Sequence, residues 1–293
     1  MAFDFYFAGG VDKDVEALII KEGANMLRSY MNDKKSIEEF IKAKHNGWTG
    51  KLLIDNGAFT VHRKGGVLNI DEYIDYINSH PEADYFIALD DIPGKWGRPK
   101  TAEEVAESPI KTWENYLYMI DRVDNPEKLL PVFHQGEHFK YLDQYLTHPT
   151  PVYMCLSGNK ELTNKQREEW YEKCYTHIRA LKPTMKVHCL GSATFSNAEK
   201  FPFTSMDSTT WIMVAINGNI LSDYGNVYVG DGGKSLSEPE KEAIQKYLDQ
   251  FGYKLENMGD DRKARLIVNY RYIFGKSKTV ETKGLKTQKR SLF

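Results

Sequence analysis

Residues 1 to 210 alternate eight short apolar runs with segments of helical composition, and this regularity most limits what the chain can fold into. The runs are FDFYFAG (3–9), NMLRSY (25–30), KLLID (51–55), DYFIALD (84–90), LLPVFHQG (129–136), PVYMCLSG (151–158), KVHCLG (186–191) and PFTSMD (202–207). Between them lie KSIEEFIKAKH (35–45), DEYIDYINSH (71–80), SPIKTWENYLYMIDRV (108–123), GEHFKYLDQYL (136–146) and TNKQREEWYEKCYTHIRALK (163–182). In the last of these a Thr cap precedes Trp170, Tyr171, Cys174, Tyr175, Ile178 and Leu181, the spacing of one helix face. Strands that alternate with helices pair in parallel through right-handed crossovers. Eight such units close into an α/β (β/α)8 barrel, typically of roughly 250 residues. An open doubly wound sheet has the same alternation, but no GxGxxG follows the first run. The crossover into the last run, through SNAEKF, is unusually brief.

No repeat, low-complexity run or long linker interrupts this pattern, so residues 1–215 read as one barrel. Residues 216–293 read as an extension packing on it, with a helix-like SEPEKEAIQKYLDQFGY (237–253) followed by a basic stretch. From Arg262 onward ten Lys and Arg face the single acid Glu281, a net +9; with −2 for the whole chain, the first 261 residues carry −11. Such a basic tail fits either a solvated terminus or local contact with a polyanion.

Cys155, Cys174 and Cys189 are odd in number and lack CxxC spacing, which argues against a disulfide framework and for a reducing compartment. The opening MAFDFYFAGGVDKD has acids where a signal peptide has a basic flank, and no apolar run approaches the roughly 20 residues of a membrane span. The expected location is the cytoplasm. His188 and Cys189 are neighbours on one strand and face opposite ways, so they cannot easily chelate one zinc ion with His134 and Cys155. No metal and no cofactor is expected.

Active sites of (β/α)8 barrels lie at the C-terminal ends of the strands. Here those ends read Asp55-Asn56-Gly57-Ala58-Phe59, Asp90-Asp91, His134-Gln135-Gly136, Leu156-Ser157-Gly158, Gly191-Ser192 and Asp207-Ser208. A single Asp at a strand end commonly caps the next helix, and Asp-Asn-Gly is a common turn. Carboxylates at three separate strand ends repel one another, an arrangement that suits shared chemistry or a donor-rich ligand.

Taken in order, these ends resemble the tRNA-guanine transglycosylase superfamily, and most closely the shorter zinc-free phage and bacterial relatives (DpdA-like proteins) that insert 7-deazaguanines into DNA. The resemblance covers about residues 3 to 215. The family's DSGGFQ is echoed by Asp55 to Thr60, its base-reading acid by Asp90 or Asp91, its VQGG by Phe133 to Gly136, and its GLSVGE by Cys155 to Asn159. Its glycine-containing strand end matches His188 to Gly191. The family's nucleophilic aspartate matches Asp207.

The resemblance implies a glycosyltransferase in which Asp207 attacks C1′ of a nucleoside and Asp55 handles the protons of the leaving and entering bases. Asp90 or Asp91, Gln135, Gly136 and the backbone of Cys155, Leu156 and Ser157 would then read the guanine edge, with Phe59, Tyr153 or Met154 stacking on it. The tRNA enzymes carry a CxCxxC…His subdomain after the nucleophile, and no cysteine follows Cys189 here. The implied reaction is therefore exchange of guanine in DNA for a free preQ0-like 7-deazaguanine, with the same exchange on tRNA as the alternative. Arg262, Lys263, Arg265 and Arg271 would contact phosphates. A non-catalytic nucleic-acid-binding barrel and a paired-carboxylate hydrolase are the rivals from other classes.

Overall fold

The computed structural model describes residues 3–95, 97–191 and 194–281. Nine parallel strands, β1 (Asp4–Ala8), β2 (Asn25–Ser29), β3 (Leu52–Asp55), β4 (Tyr85–Ile87), β5 (Leu129–Leu130), β6 (Val132–His134), β7 (Tyr153–Ser157), β8 (Lys186–Leu190) and β9 (Ser205–Ser208), form one sheet. Their order is β5-β4-β3-β2-β1-β9-β8-β7-β6. The two edge strands are consecutive in the chain and are separated only by Pro131.

Proline has no N–H to give to a ladder, so the pairing breaks there. Around it β5 pairs with β4 and β6 with β7, and the Pro131 carbonyl still accepts the Cys155 N–H at 2.8 Å. The fifth apolar run thus supplies one strand in two halves, and the sheet curls into a nearly closed (β/α)8-type barrel with all eight runs in place.

Both faces of this sheet are buried, which is why the runs are continuous rather than alternating. One set of alternate residues, including Tyr6, Leu27, Leu53, Ile87, Val132 and Cys155, packs in a single cluster inside the barrel. The other set, including Phe7, Met26, Ile54, Phe86, Met154 and Leu156, is buried against the opposite face. At the strand starts Lys51 pairs with Asp4 at 2.6 Å, and Asn25 bonds both Asp4 and the Lys51 N–H.

The connecting helices are α1 (Lys13–Lys21), α2 (Lys34–His45), α3 (Ala58–Arg63), α4 (Ile70–Asn78), α5 (Ala102–Ile120), α6 (Phe139–Thr147), α7 (Asn164–Leu181) and α8 (Phe195–Lys200). Helix α8 is the brief crossover expected from SNAEKF. Helix α5 begins six residues before the expected Ser108, because Thr101 and Glu104 form a reciprocal capping box. Pro109 falls inside it, where a proline typically costs about 3 kcal/mol, and the buried face of Thr112, Tyr116 and Met119 carries the helix through. No helix among the described residues is long and apolar enough to cross a membrane.

By compactness the described chain divides into residues 3–10 and 23–207 with Glu281 as one unit and 11–22 with 208–280 as another. Residues 208–215 and helix α1, which the sequence reading groups with the barrel, thus cluster with the C-terminal segment. That second unit holds α1, α9 (Thr210–Ile216), the hairpin of β10 (Asn219–Ser222) and β11 (Gly225–Tyr228), α10 (Glu238–Asp249) and α11 (Arg262–Thr279). Ile220, Val229, Ile244, Leu248, Met258 and Val268 form its core.

Asn269 is fully buried within this unit, accepts the Leu221 N–H at 2.6 Å and donates to the carbonyls of Trp211 and Asn219. Arg262, Lys263 and Arg271 pair with Asp12, Asp14 and Glu22, so the basic helix meets the acids of residues 11–22. Arg265 is 6% exposed and donates to the carbonyls of Ala215, Met258 and Gly259. Its guanidinium is a structural clamp, which corrects the phosphate contact expected of it. Lys283, Lys286, Lys289 and Arg290 lie outside the described residues.

Truncating Asn269 to Ala orphans a buried N–H and removes two donated bonds, so the second unit is expected to lose about 2–3 kcal/mol. Lys263→Ala removes only an exposed pair and is expected to leave the unfolding midpoint unchanged. Denaturant unfolding of both variants checks this; equal losses would mean that the surface pairs hold the unit together.

Candidate active site

Alternation along the strands decides which strand-end side chains enter the barrel. Asp55 follows the inward-facing Leu53 by two residues, His134 follows Val132, and Ser157 follows Cys155. Asp207 follows Ser205, whose hydroxyl meets Tyr153 inside the barrel. Asp90 lies just past β4 and joins the same group through its hydrogen bonds.

The Asp-Asn-Gly turn after β3 is both a turn and a piece of the site. Gly57 caps α3 with φ of 78°, and a Cβ there would stand 2.8 Å from the side chains of Met31 and Ser29. Its N–H donates to Asp55 Oδ2 at 3.1 Å. Asn56, 1% exposed, accepts the Ala58 N–H at 2.7 Å and donates through Nδ2 to the Ala88 carbonyl and to Asp90 Oδ1, at 2.7 and 3.0 Å. One amide therefore ties the end of β3 to the end of β4.

His134 stands between two acids, with Nε2 3.0 Å from Asp90 Oδ2 and Nδ1 3.1 Å from Glu137 Oε1. Burial opposes a charge on this ring, yet the bonds to Asp90 and Glu137 outweigh it and push the imidazole up to about 10. At neutral pH it is an imidazolium that donates from both nitrogens. Burial likewise pushes the Asp90 carboxyl upward, but the bonds from His134 and Asn56 prevail and hold it below the usual carboxylate range. Asp55 goes the other way. Its burial, followed by the charges of Asp90 and Asp207, raises it to about 7 against the single opposing N–H of Gly57. Neighbouring carboxyls with opposite shifts are the mark of divided acid and base roles.

Asp207, 6% exposed, accepts the Gly191 N–H on Oδ1 at 2.7 Å. His188 Nε2 is 3.3 Å from the same oxygen, close enough for an electrostatic contact but without hydrogen-bond alignment. Cys155 is wholly buried, and burial followed by the charges of Asp207, Asp55 and Asp90 keeps its thiol protonated. It is neutral packing that feels all three acids.

The remaining sequence candidates have varied fates. Asp91 turns to α5, with its N–H bonded to Thr112 Oγ1 and its carbonyl to the Ser108 hydroxyl, so Asp90 is the acid that belongs to the cluster. Gln135 braces the loop after β7 by accepting the Asn159 N–H at 3.0 Å and donating to the Gln166 carbonyl at 3.1 Å. Gly136 turns the chain with φ of 111°. The backbone of Cys155 and Ser157 is engaged with Pro131 and Gln135, and Leu156 is buried on the face opposite Cys155. Tyr153 and Met154 are 3% and 0% exposed, which removes them as stacking surfaces, while Phe59 stands 57% exposed. Ser192 lies outside the described residues.

His188 and Cys189 do face opposite ways, His188 toward Ser205 and Cys189 toward the Tyr171 hydroxyl. Among the described residues no three His, Cys, Asp or Glu side chains are grouped to hold a metal ion. Three members of the site escaped the sequence reading: the Asn56 amide, Glu137 and the charged state of His134. The His-Gln-Gly-Glu spacing, with an acid three residues after a strand-end histidine, was the available signal.

The titrations give a test of the cluster. Asp55 is raised from 3.8 to about 7, so its contribution to stability is present below its unfolded value and is lost as pH rises through about 7. His134 is raised from 6.5 to about 10, so its contribution is present below 6.5 and lost as pH rises through about 10. Measured by urea unfolding, wild type is expected to lose stability relative to Asp55→Asn over the first window and relative to His134→Gln over the second. Parallel curves for wild type and either variant would show that the corresponding group titrates normally.

Compared with protein-family models and with curated proteins, the chain matches none.

Proposed function

We propose that this protein is a guanine transglycosylase that replaces guanine in DNA with a 7-deazaguanine through a covalent aspartyl-sugar intermediate. The observation that carries the reading is the division of labour among three acids at one barrel rim, Asp207 buried and Asp55 and Asp90 half-buried. Asp90 is held ionised by His134 and Asn56, Asp55 is poised near neutrality, and Asp207 is held on one oxygen by Gly191.

In this reaction a carboxylate oxygen of Asp207 bonds to C1′ as the bond from C1′ to N9 of guanine breaks, and the electron pair leaves with the base. Protonated Asp55 supplies the proton that the departing guanine needs. The incoming base returns a proton to Asp55, attacks C1′, and releases Asp207 as a carboxylate. A general acid and base that shares its proton near pH 7 suits both halves. Asp90 has lone pairs beyond those used by His134 and Asn56, which fit it to accept from the N1–H and N2–H of guanine. Phe59 offers an exposed ring for stacking. A base within a duplex has to be flipped out or locally unpaired to reach such a site.

The preference for DNA over tRNA rests on the lack of any cysteine after Cys189, since the internal pairing of Arg262, Lys263, Arg265 and Arg271 takes the predicted phosphate contacts away from the argument. Incubation of the purified protein with a labelled 7-deazaguanine and either DNA or tRNA tests both points. Label is expected in DNA, and Asp207→Asn is expected to lower incorporation by about a thousandfold or more. Label in tRNA alone would move the substrate to tRNA. Undiminished exchange by Asp207→Asn would remove the covalent mechanism, and binding of nucleic acid without any exchange would favour the non-catalytic barrel.

A further inference from the structure

Beneath Asp207 a line of buried polar groups runs through the barrel interior, where hydrophobic packing is the norm. The Tyr153 hydroxyl meets Ser205 Oγ, Ser205 Oγ meets His188 Nδ1, and His188 Nε2 faces Asp207 Oδ1 at 3.3 Å. Tyr153 is 3% exposed, Ser205 and His188 are 0% exposed, and Tyr6 packs edge-on to the imidazole with centroids 5.8 Å apart.

The donor directions along this line are determined by what each group can give. Burial raises the Tyr153 hydroxyl well above its ordinary range, so it is a phenol and carries a proton. Among the described residues its one hydrogen-bond partner is Ser205, so it donates there, because otherwise a buried O–H is left unmet. Ser205 then has its own proton free for His188 Nδ1. A neutral imidazole that accepts at Nδ1 carries its proton at Nε2, and among the described residues that nitrogen has no hydrogen-bond partner, Asp207 Oδ1 lying 3.3 Å away as an electrostatic contact.

We propose that Tyr153, Ser205 and His188 form a positioning relay that presents an Nε2–H to Asp207 Oδ1, and that Oδ2 is in consequence the oxygen that attacks the sugar. Oδ1 is already held by the Gly191 N–H. The Gly191 hydrogen bond and the nearby Nε2–H both favour negative charge on Oδ1 and leave the other oxygen to form the bond to C1′. Once that ester exists, Oδ1 is its carbonyl oxygen, and the same two donors stabilise the carboxylate as it departs in the second half of the exchange. His188 acts through Asp207 and touches no substrate atom. This role rests on the proposed transglycosylase reading, whereas the tautomer does not.

Two measurements therefore separate the two ideas. In the wild-type protein labelled with 15N-histidine, NMR is expected to find His188 as the Nε2–H tautomer, with its ring signals shifted in Asp207→Ala and in Ser205→Ala. An Nδ1–H tautomer, or signals indifferent to Asp207, would overturn the relay whether or not the protein exchanges bases. In the exchange assay His188→Phe is expected to lower kcat by about ten- to a hundredfold with KM for the free base nearly unchanged, and His188→Gln, which keeps an N–H donor, to recover part of the loss. A loss confined to KM, or wild-type kcat in His188→Phe, would overturn the positioning role. If wild type shows the tautomer but exchanges no base into DNA or tRNA, the relay stands as a device for holding Asp207 and the transglycosylase reading falls.

Discussion

The sheet is parallel throughout and curls into a nearly closed barrel, and nearly everything else about the barrel follows from that. In a parallel barrel every strand delivers its C-terminal end to the same rim, and period-two alternation sends every second side chain into the interior. Leu53 and Asp55, Val132 and His134, and Cys155 and Ser157 are each such pairs, with the deeper member in the apolar cluster and the outer one at the rim. Pro131 makes closure possible without a regular fifth strand. It interrupts one ladder while its carbonyl keeps the bond to Cys155, so the same six residues serve both neighbours.

Gathering acids on one rim has an electrostatic consequence that the side chains around them resolve in different ways. Asp90 and Glu137 share the His134 imidazolium, and two negative charges around one positive make that proton hard to remove. Among the described residues Asp55 has the Gly57 N–H but no cation beside it, so it holds its proton far longer than a carboxyl in water. Asp207 is met by the Gly191 N–H and the edge of His188. Asp55 and Asp90 thus shift in opposite directions by having different partners, a property of the surroundings rather than of residue type.

The same distinction explains what could be read from the sequence. Strands buried on both faces leave continuous apolar runs, so all eight were legible, and Thr163 and the 3.6-residue spacing marked α7. Asp55, Asp90 and Asp207 were legible because a strand end is a position along the chain. The hydrogen-bonding roles of Asn56, Glu137 and His188 were not, because each depends on a partner from another strand or turn. The basic helix α11 gives the sharpest contrast. Its charge is obvious in the sequence, but Asp14 lies 249 residues from Lys263, and nothing local reveals that these charges meet acids of the same chain or that Arg265 is buried. The start of α5 is set by the capping box at Thr101, seven residues ahead of the expected Ser108 and so outside the apolar spacing that marks the rest of the helix.

A glycosyl ester on Asp207 would face a competition between two nucleophiles, the incoming base and water. Exchange wins only where water is kept from C1′ while the ester waits. The interior beneath Asp207 favours that outcome: Tyr6, Leu53, Val132 and Cys155 fill it with apolar groups and a protonated thiol. The polar groups Tyr153, Ser205 and His188 are joined to one another by hydrogen bonds. Burial also strengthens the contacts of Gly191 and His188 with Oδ1, because they act in a low dielectric. On the proposed reading, the burial that raises Asp55 toward neutrality would serve the same end, since a carboxyl left open to solvent would give up its proton well below pH 7.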